Sequence, residues 1–235
     1  MGGALWAIAS MTLVIYVLGL FPLKDLLKKD TAKDVSIDWG EIVRFAFPTM
    51  LVILSITSLV TTDVILVKHF FSSSEAGLYG GISLVGKVIF YFTLPIPIVM
   101  FPLLVKKQTV GEDFKGLFYL AILLVLIPSV LITIFYFIFP EFSIRFFLGG
   151  GDYLRIVSLL GIFGFLITIF SVLNVVVNFF LSIKRTEIAI PCFLASTLQI
   201  ILIYFYHKDF YQIISISITI TSLLLIFLLI YYIRQ

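Results

Sequence analysis

Reactive and ionic side chains are scarce in this sequence: one cysteine, two histidines and 12% charged residues in 235 positions. The lone cysteine, Cys192, excludes an intrachain disulfide and leaves the redox compartment unread. His69 and His207 lie in different loops, and no pair of residues has metal-ligand spacing, so no metal site or cofactor is expected. No nucleophile motif and no glycine-rich phosphate loop is present, and no enzymatic activity is expected. Sixteen Lys and Arg against thirteen Asp and Glu leave a net charge of only +3, without a basic block large enough for nucleic acid. A signal peptide is also missing, because no Lys or Arg precedes the first apolar stretch and no small-residue cleavage site follows it. Met1-Gly2 does not make a myristoylation site, since Trp6 stands where Ser or Thr is needed.

What fills the chain instead is hydrocarbon. Apolar residues make up 61% and the mean hydropathy is +1.20, well above the roughly half expected of a soluble domain. Seven apolar stretches run at 4–23, 42–67, 78–105, 117–139, 156–183, 188–206 and 211–233. As a helix, each is about long enough to cross a ~30 Å hydrocarbon core. The fold class expected is all-α, a polytopic transmembrane bundle of seven helices. Its expected divisions are a helix at 1–23, a connector at 24–41 and a six-helix unit at 42–235.

Lys and Arg sort unevenly between the two sets of loops, eleven on one side and four on the other, with Lys87 left inside a span. Cytoplasmic loops retain positive charge, so the N-terminus is predicted outside and the C-terminus in the cytoplasm. An odd number of helices with an uncharged outside start reads as the later part of a longer chain. The connector carries Asp38-x-x-Glu41, a capping-box pattern, and Leu23, Leu26 and Leu27 among lysines, which suit a solvated hinge or a membrane-surface segment. Gly149-Gly150-Gly151-Asp152 is expected to be a flexible external turn. Prolines at 48, 95, 97, 102 and 128 punctuate the spans, and three of them predict a bent third helix.

Polar residues inside spans are costly and point to function. Lys87 lies ten residues after Gly77, about 15 Å along a helix and near mid-membrane. Gly80, Ser83, Lys87 and Tyr91 recur at three- and four-residue spacing and predict one cavity-lining face; the alternative is a lysine that snorkels or pairs with Asp63. In the fifth span Gly161, Gly164, Thr168, Ser171, Asn174 and Asn178 form a second stripe. Its glycines suit close packing, while Asn174 and Asn178 suit cavity lining or interhelical bonds equally. Arg44 stands near one end of the second span as an interfacial anchor or a ligand contact, and Asp63 near the other, with Ser55, Ser58 and Thr62 on one face between them. Asp63 has Lys68 or Lys87 as its candidate partners. The hydroxyls of the last two spans can satisfy themselves through their own backbone. The fourth span is expected to face lipid.

In order, Asp63-Val-Ile-Leu-Val-Lys-His-Phe-Phe, Glu75-Ala-Gly-Leu-Tyr-Gly, Ser83-Leu-Val-Gly-Lys-Val, Phe101-Pro102, Phe147-Leu-Gly-Gly-Gly-Asp-Tyr-Leu and Lys184-Arg-Thr-Glu resemble polysaccharide-biosynthesis flippases of the O-antigen type. These belong to the multidrug/oligosaccharidyl-lipid/polysaccharide exporter superfamily. The resemblance covers about 41–235 and corresponds to the second lobe of a two-lobe transporter, with 4–23 as the last helix of a first lobe that is otherwise missing. It implies an exporter of lipid-linked oligosaccharide, of polyprenyl-pyrophosphate type, working by alternating access in the cytoplasmic (inner) membrane. The implied substrate-binding set is Lys87 for the anionic group, Asn174 and Asn178 for sugar, Arg44 at the entrance, and Ser83, Tyr91 and Asp63 beside them. The alternatives are a multidrug cation antiporter of the same superfamily, for which Asp63 is the one coupling carboxylate, and a non-transporting seven-helix membrane protein.

Overall fold

Helices account for nearly all of the backbone because a chain in hydrocarbon must satisfy its own N–H and C=O groups. The computed structural model describes residues 2–23 and 39–234, which form α1 (Gly2–Leu23), α2 (Trp39–Phe70), α3 (Ser73–Gly86), α4 (Val88–Thr93), α5 (Pro95–Val110), α6 (Lys115–Ile138), α7 (Pro140–Leu148), α8 (Leu159–Ser182), α9 (Ala189–Phe205) and α10 (Phe210–Ile233). No strand occurs among the described residues. Six helical segments among the described residues are long and apolar enough to cross a membrane, the second being α3 to α5 taken together. The first apolar stretch forms α1, a helix of 22 residues. This is a multi-pass helical membrane protein. By contacts the chain divides into two units, Met1–Gly40 and Glu41–Gln235. Asp38 of the Asp38-x-x-Glu41 pattern, and Leu26 and Leu27, lie outside the described residues.

Within the second unit α8 is the axis. In its most apolar window 78% of residues are buried, against 28% to 39% in the other spans, so α8 is enclosed where they are half-wrapped. The aromatic side chains Phe163, Phe179 and Phe180 are fully buried along it. Close approach depends on glycine. A β-carbon at Gly86 would collide with the ring of Phe163, and one at Gly161 with the ring of Phe137. Small residues let helix backbones meet at such points.

The third apolar stretch is a bent helix, as the prolines predict: α3, α4 and α5 follow one another as a single span with kinks at Lys87 and Leu94. Helical bonds run through both, from the Lys87 N–H to the Ser83 carbonyl at 3.0 Å and from the Leu94 N–H to the Phe90 carbonyl at 2.9 Å. Proline explains the second kink, because Pro95 has no N–H to give and its ring crowds the carbonyl of residue 91. The first falls at Lys87, directly after Gly86. The fourth span departs from its expected role. One face of α6 faces lipid, but Phe118, Ala121, Val125, Ser129, Thr133 and Tyr136 are buried on the other. Thr133 shares a 2.8 Å hydrogen bond with Thr168 of α8, whose hydroxyl also lies 3.2 Å from the carbonyl of Ser129, and the Tyr136 hydroxyl donates to the carbonyl of Val85 at 2.9 Å.

Local signals fix several ends. Ser72 and Glu75 form a complete capping box at the start of α3, and Asp209 accepts from the Gln212 N–H at 2.7 Å to start α10. α7 begins with Pro140 and ends against Gly149, with Glu141 in its first turn and Arg145 in its last, as the helix dipole favours. The glycine run that follows is a specified conformation, with φ of 75°, 84° and 63° at Gly149, Gly150 and Gly151. Those values exclude most side chains.

Candidate functional site

A cleft of about 400 Å³ opens where α2 stands away from α8. α2 makes no extended close approach to another helix and is held by side chains. Gln199 of α9 donates to the Leu59 carbonyl at 3.1 Å, and Tyr79 of α3 donates to Asp63 Oδ2 at 2.7 Å. Between these ties and the α8 surface the cleft is lined by Thr49, Thr57 and Thr61 of α2, Phe90 and Tyr91 of α4, Phe101 of α5, and Phe170, Asn174 and Asn178 of α8, with aliphatic side chains filling the remainder.

Its chemistry is polar without charge: no Lys, Arg, Asp or Glu lines it. Asn178 Nδ2 donates to the Asn174 carbonyl at 2.8 Å and to Asn174 Oδ1 at 3.2 Å. That internal pairing leaves the Asn174 amide N–H groups and the Asn178 carbonyl oxygen without a protein partner among the described residues. Thr49 and Thr61 spend their protons on the carbonyls of Phe45 and Thr57, so their oxygens remain as acceptors. The aromatic rings supply faces on which an apolar or sugar surface can rest. Such a cleft is suited to a neutral, hydroxyl-rich ligand.

Of the residues singled out from the sequence, Tyr91, Asn174 and Asn178 meet here. The others do not. The stripe on α8 has an average spacing below 3.6, so it winds about 100° around the helix between Gly161 and Asn178. Its glycine end and Thr168 therefore pack on α6, while its asparagine end reaches the cleft. On α2 the cleft takes the Thr49, Thr57 and Thr61 face; Ser55 is buried and bonds the Leu51 carbonyl, and Ser58 and Thr62 bond one another. Arg44 is exposed, five residues ahead of Thr49, and outside the cleft.

Lys87 also lies outside it, half-buried at the junction of α3 and α4, one turn ahead of Tyr91. Asp63 is only 1% exposed, with Oδ2 bonded to Tyr79 and Oδ1 without a partner. Lys87 is close enough to feel that charge but forms no ion pair with it. Lys68 turns instead to Ser73 Oγ at 2.9 Å. Ser83 is buried and its hydroxyl has no partner among the described residues. Asp63, Tyr79 and Lys87 thus form a polar knot joining α2 to α3, separate from the cleft.

Gln199 escaped the sequence reading. It is 1% exposed and bridges three helices, donating to Leu59 and to Ser217 Oγ at 2.9 Å. A lone glutamine amid the apolar residues of α9 is the signal that marks it. Among the described residues no group of His, Cys, Asp or Glu is arranged to hold a metal ion. No family model matches this chain, and no curated protein or solved structure matches it.

Proposed function

We propose that this chain is a lobe of a membrane exporter that moves lipid-linked oligosaccharide across the cytoplasmic membrane by alternating access. The observation that supports this reading best is the uncharged cleft between α2 and α8, which offers amide and hydroxyl groups beside aromatic rings inside a membrane-spanning bundle. Asn174, Asn178 and Tyr91 are the proposed sugar contacts. Lys87, one turn ahead of Tyr91, and Arg44, five residues ahead of Thr49, lie outside the cleft and are the proposed cationic contacts for a polyprenyl pyrophosphate, with Ser83 and Asp63 proposed beside Lys87. The proposed orientation has the N-terminus outside and the C-terminus in the cytoplasm. A facing lobe is needed to close the cleft, and rocking of one lobe against the other would carry the site from side to side.

In cells that express the chain, Asn174→Ala with Asn178→Ala should reduce surface polysaccharide at least about tenfold, because sugar hydroxyls that the amides would bond are left unpaired in the cleft. Membrane abundance should stay near normal, since neither side chain bonds another helix. Unchanged export by that double variant would remove the cleft from the transport path. The cation-antiporter reading has one observation in its favour, the buried carboxylate of Asp63. If it is right, Asp63→Asn abolishes drug-cation extrusion and polysaccharide export is unaffected by every variant named.

A further inference from the structure

We infer that a second cleft, at the opposite edge of α8, binds a phosphate-bearing anion, with the headgroup of an anionic phospholipid from the adjoining leaflet as its source. The site lies where the start of α6 and the ends of α8 and α10 converge. It has a volume of about 400 Å³ and is lined by Phe114, Lys115, Tyr119, Phe179, Arg185 and Tyr232, with Ile183 and Ile233 at its margin.

Four observations point to an anion. Lys115 and Arg185 both line the cleft, no acidic residue does, and neither has an ion-pair partner among the described residues. The Tyr232 hydroxyl is buried and has no hydrogen-bond partner of proper geometry among the described residues, and the Tyr119 ring stands 6.4 Å from its own. At the start of α6 the Lys115 N–H donates to Asp113 Oδ1 at 3.0 Å, and the other first-turn N–H groups have no side-chain partner among the described residues. Arg185 is held in place by a closed turn: its N–H bonds the Phe180 carbonyl at 2.9 Å, and Gln108 bonds the Ile183 carbonyl beside it at 3.3 Å.

The walls identify the rest of the ligand. Phe114, Phe118, Phe179 and Tyr232 form a cluster with ring centroids 4.1 to 5.8 Å apart, and one turn beyond Tyr119 the surface of α6 is apolar and exposed at Leu123. A guanidinium, an ammonium and phenol groups at the end of a span, above a greasy wall, match a headgroup with its acyl chains running down the helix. The inference does not rest on the transport reading and uses none of the residues assigned to it.

Purified full chain, reconstituted in nanodiscs of phosphatidylcholine with or without phosphatidylglycerol, provides the test. Native mass spectrometry of the released protein should show phosphatidylglycerol retained in preference to phosphatidylcholine. Lys115→Gln with Arg185→Gln should lower that preference about tenfold, because both cations that line the cleft are gone. Lys184→Gln removes a neighbouring exposed charge that does not line the cleft and should leave the preference intact, and Lys115→Arg should retain most of it. Thermal protection by inorganic phosphate in phosphatidylcholine alone, lost in the double variant, would uphold the anion site and assign it a soluble ligand. Equal retention of both lipids with no phosphate effect, or equal losses in the double variant and Lys184→Gln, would overturn the inference.

Discussion

Asp63 presents two oxygens to a buried environment and has a donor for only one of them. Tyr79→Phe removes that donor and strands the carboxylate, which should cost about 1–3 kcal/mol. Tyr79→Phe with Asp63→Leu removes both partners and should recover much of the loss. Thermal unfolding in detergent measures both, and an unaltered midpoint in Tyr79→Phe would show that the pair bears no structural load. Lys184 poses the reverse case. Its φ of 58° lies in the left-handed region, at the residue that closes α8 through the Arg185-to-Phe180 bond. Glycine adopts that conformation freely, so Lys184→Gly should raise stability by about 1 kcal/mol, read as a higher unfolding midpoint. A fall would mean that the lysine charge at the helix end outweighs its backbone strain.

Helix contacts turn on where glycine meets an aromatic ring. Gly86→Ala and Gly161→Ala place a methyl against Phe163 and Phe137 and should each cost about 1–3 kcal/mol, whereas Gly80→Ala and Gly116→Ala point into open space and should be neutral or slightly stabilising. Yield and thermal stability of the four variants in detergent distinguish the groups; equal behaviour would mean that the helices shift apart at no cost. The existence of the long helices was legible because hydropathy reports the solvent directly. Asn174 and Asn178 were legible because polar groups at that depth are expensive. Facing was not legible. A stripe spaced below 3.6 residues drifts, and sequence alone does not say which turn meets a neighbour, so Lys87 and Ser83 were grouped with a cleft they do not line. α7 was hidden in a loop although Pro140, Glu141, Arg145 and Gly149 carry the marks of a short helix. Gln199 carried no periodic signal, since its partners come from α2 and α10.

At the scale of the molecule, the charge asymmetry makes an orientation testable. Cys192 is fully buried, so the native chain supplies little labelling background. Glu112→Cys should react with an impermeant thiol reagent only after the membrane is opened, and Asp152→Cys should react in intact cells. The opposite pattern would invert the topology and the transport direction with it. The enclosure of α8 has a further consequence, which belongs to biosynthesis. The ribosome delivers α2 to α7 before α8 exists, and at about 5–20 residues per second its 24 residues take roughly 1–5 s to appear. During that interval the buried face of α6 and the close-packing surface at Gly86 have only lipid to meet. The nascent chain is therefore most vulnerable to membrane proteases just before α8 arrives, and any nonsense codon upstream of residue 159 leaves a product with nothing to assemble around.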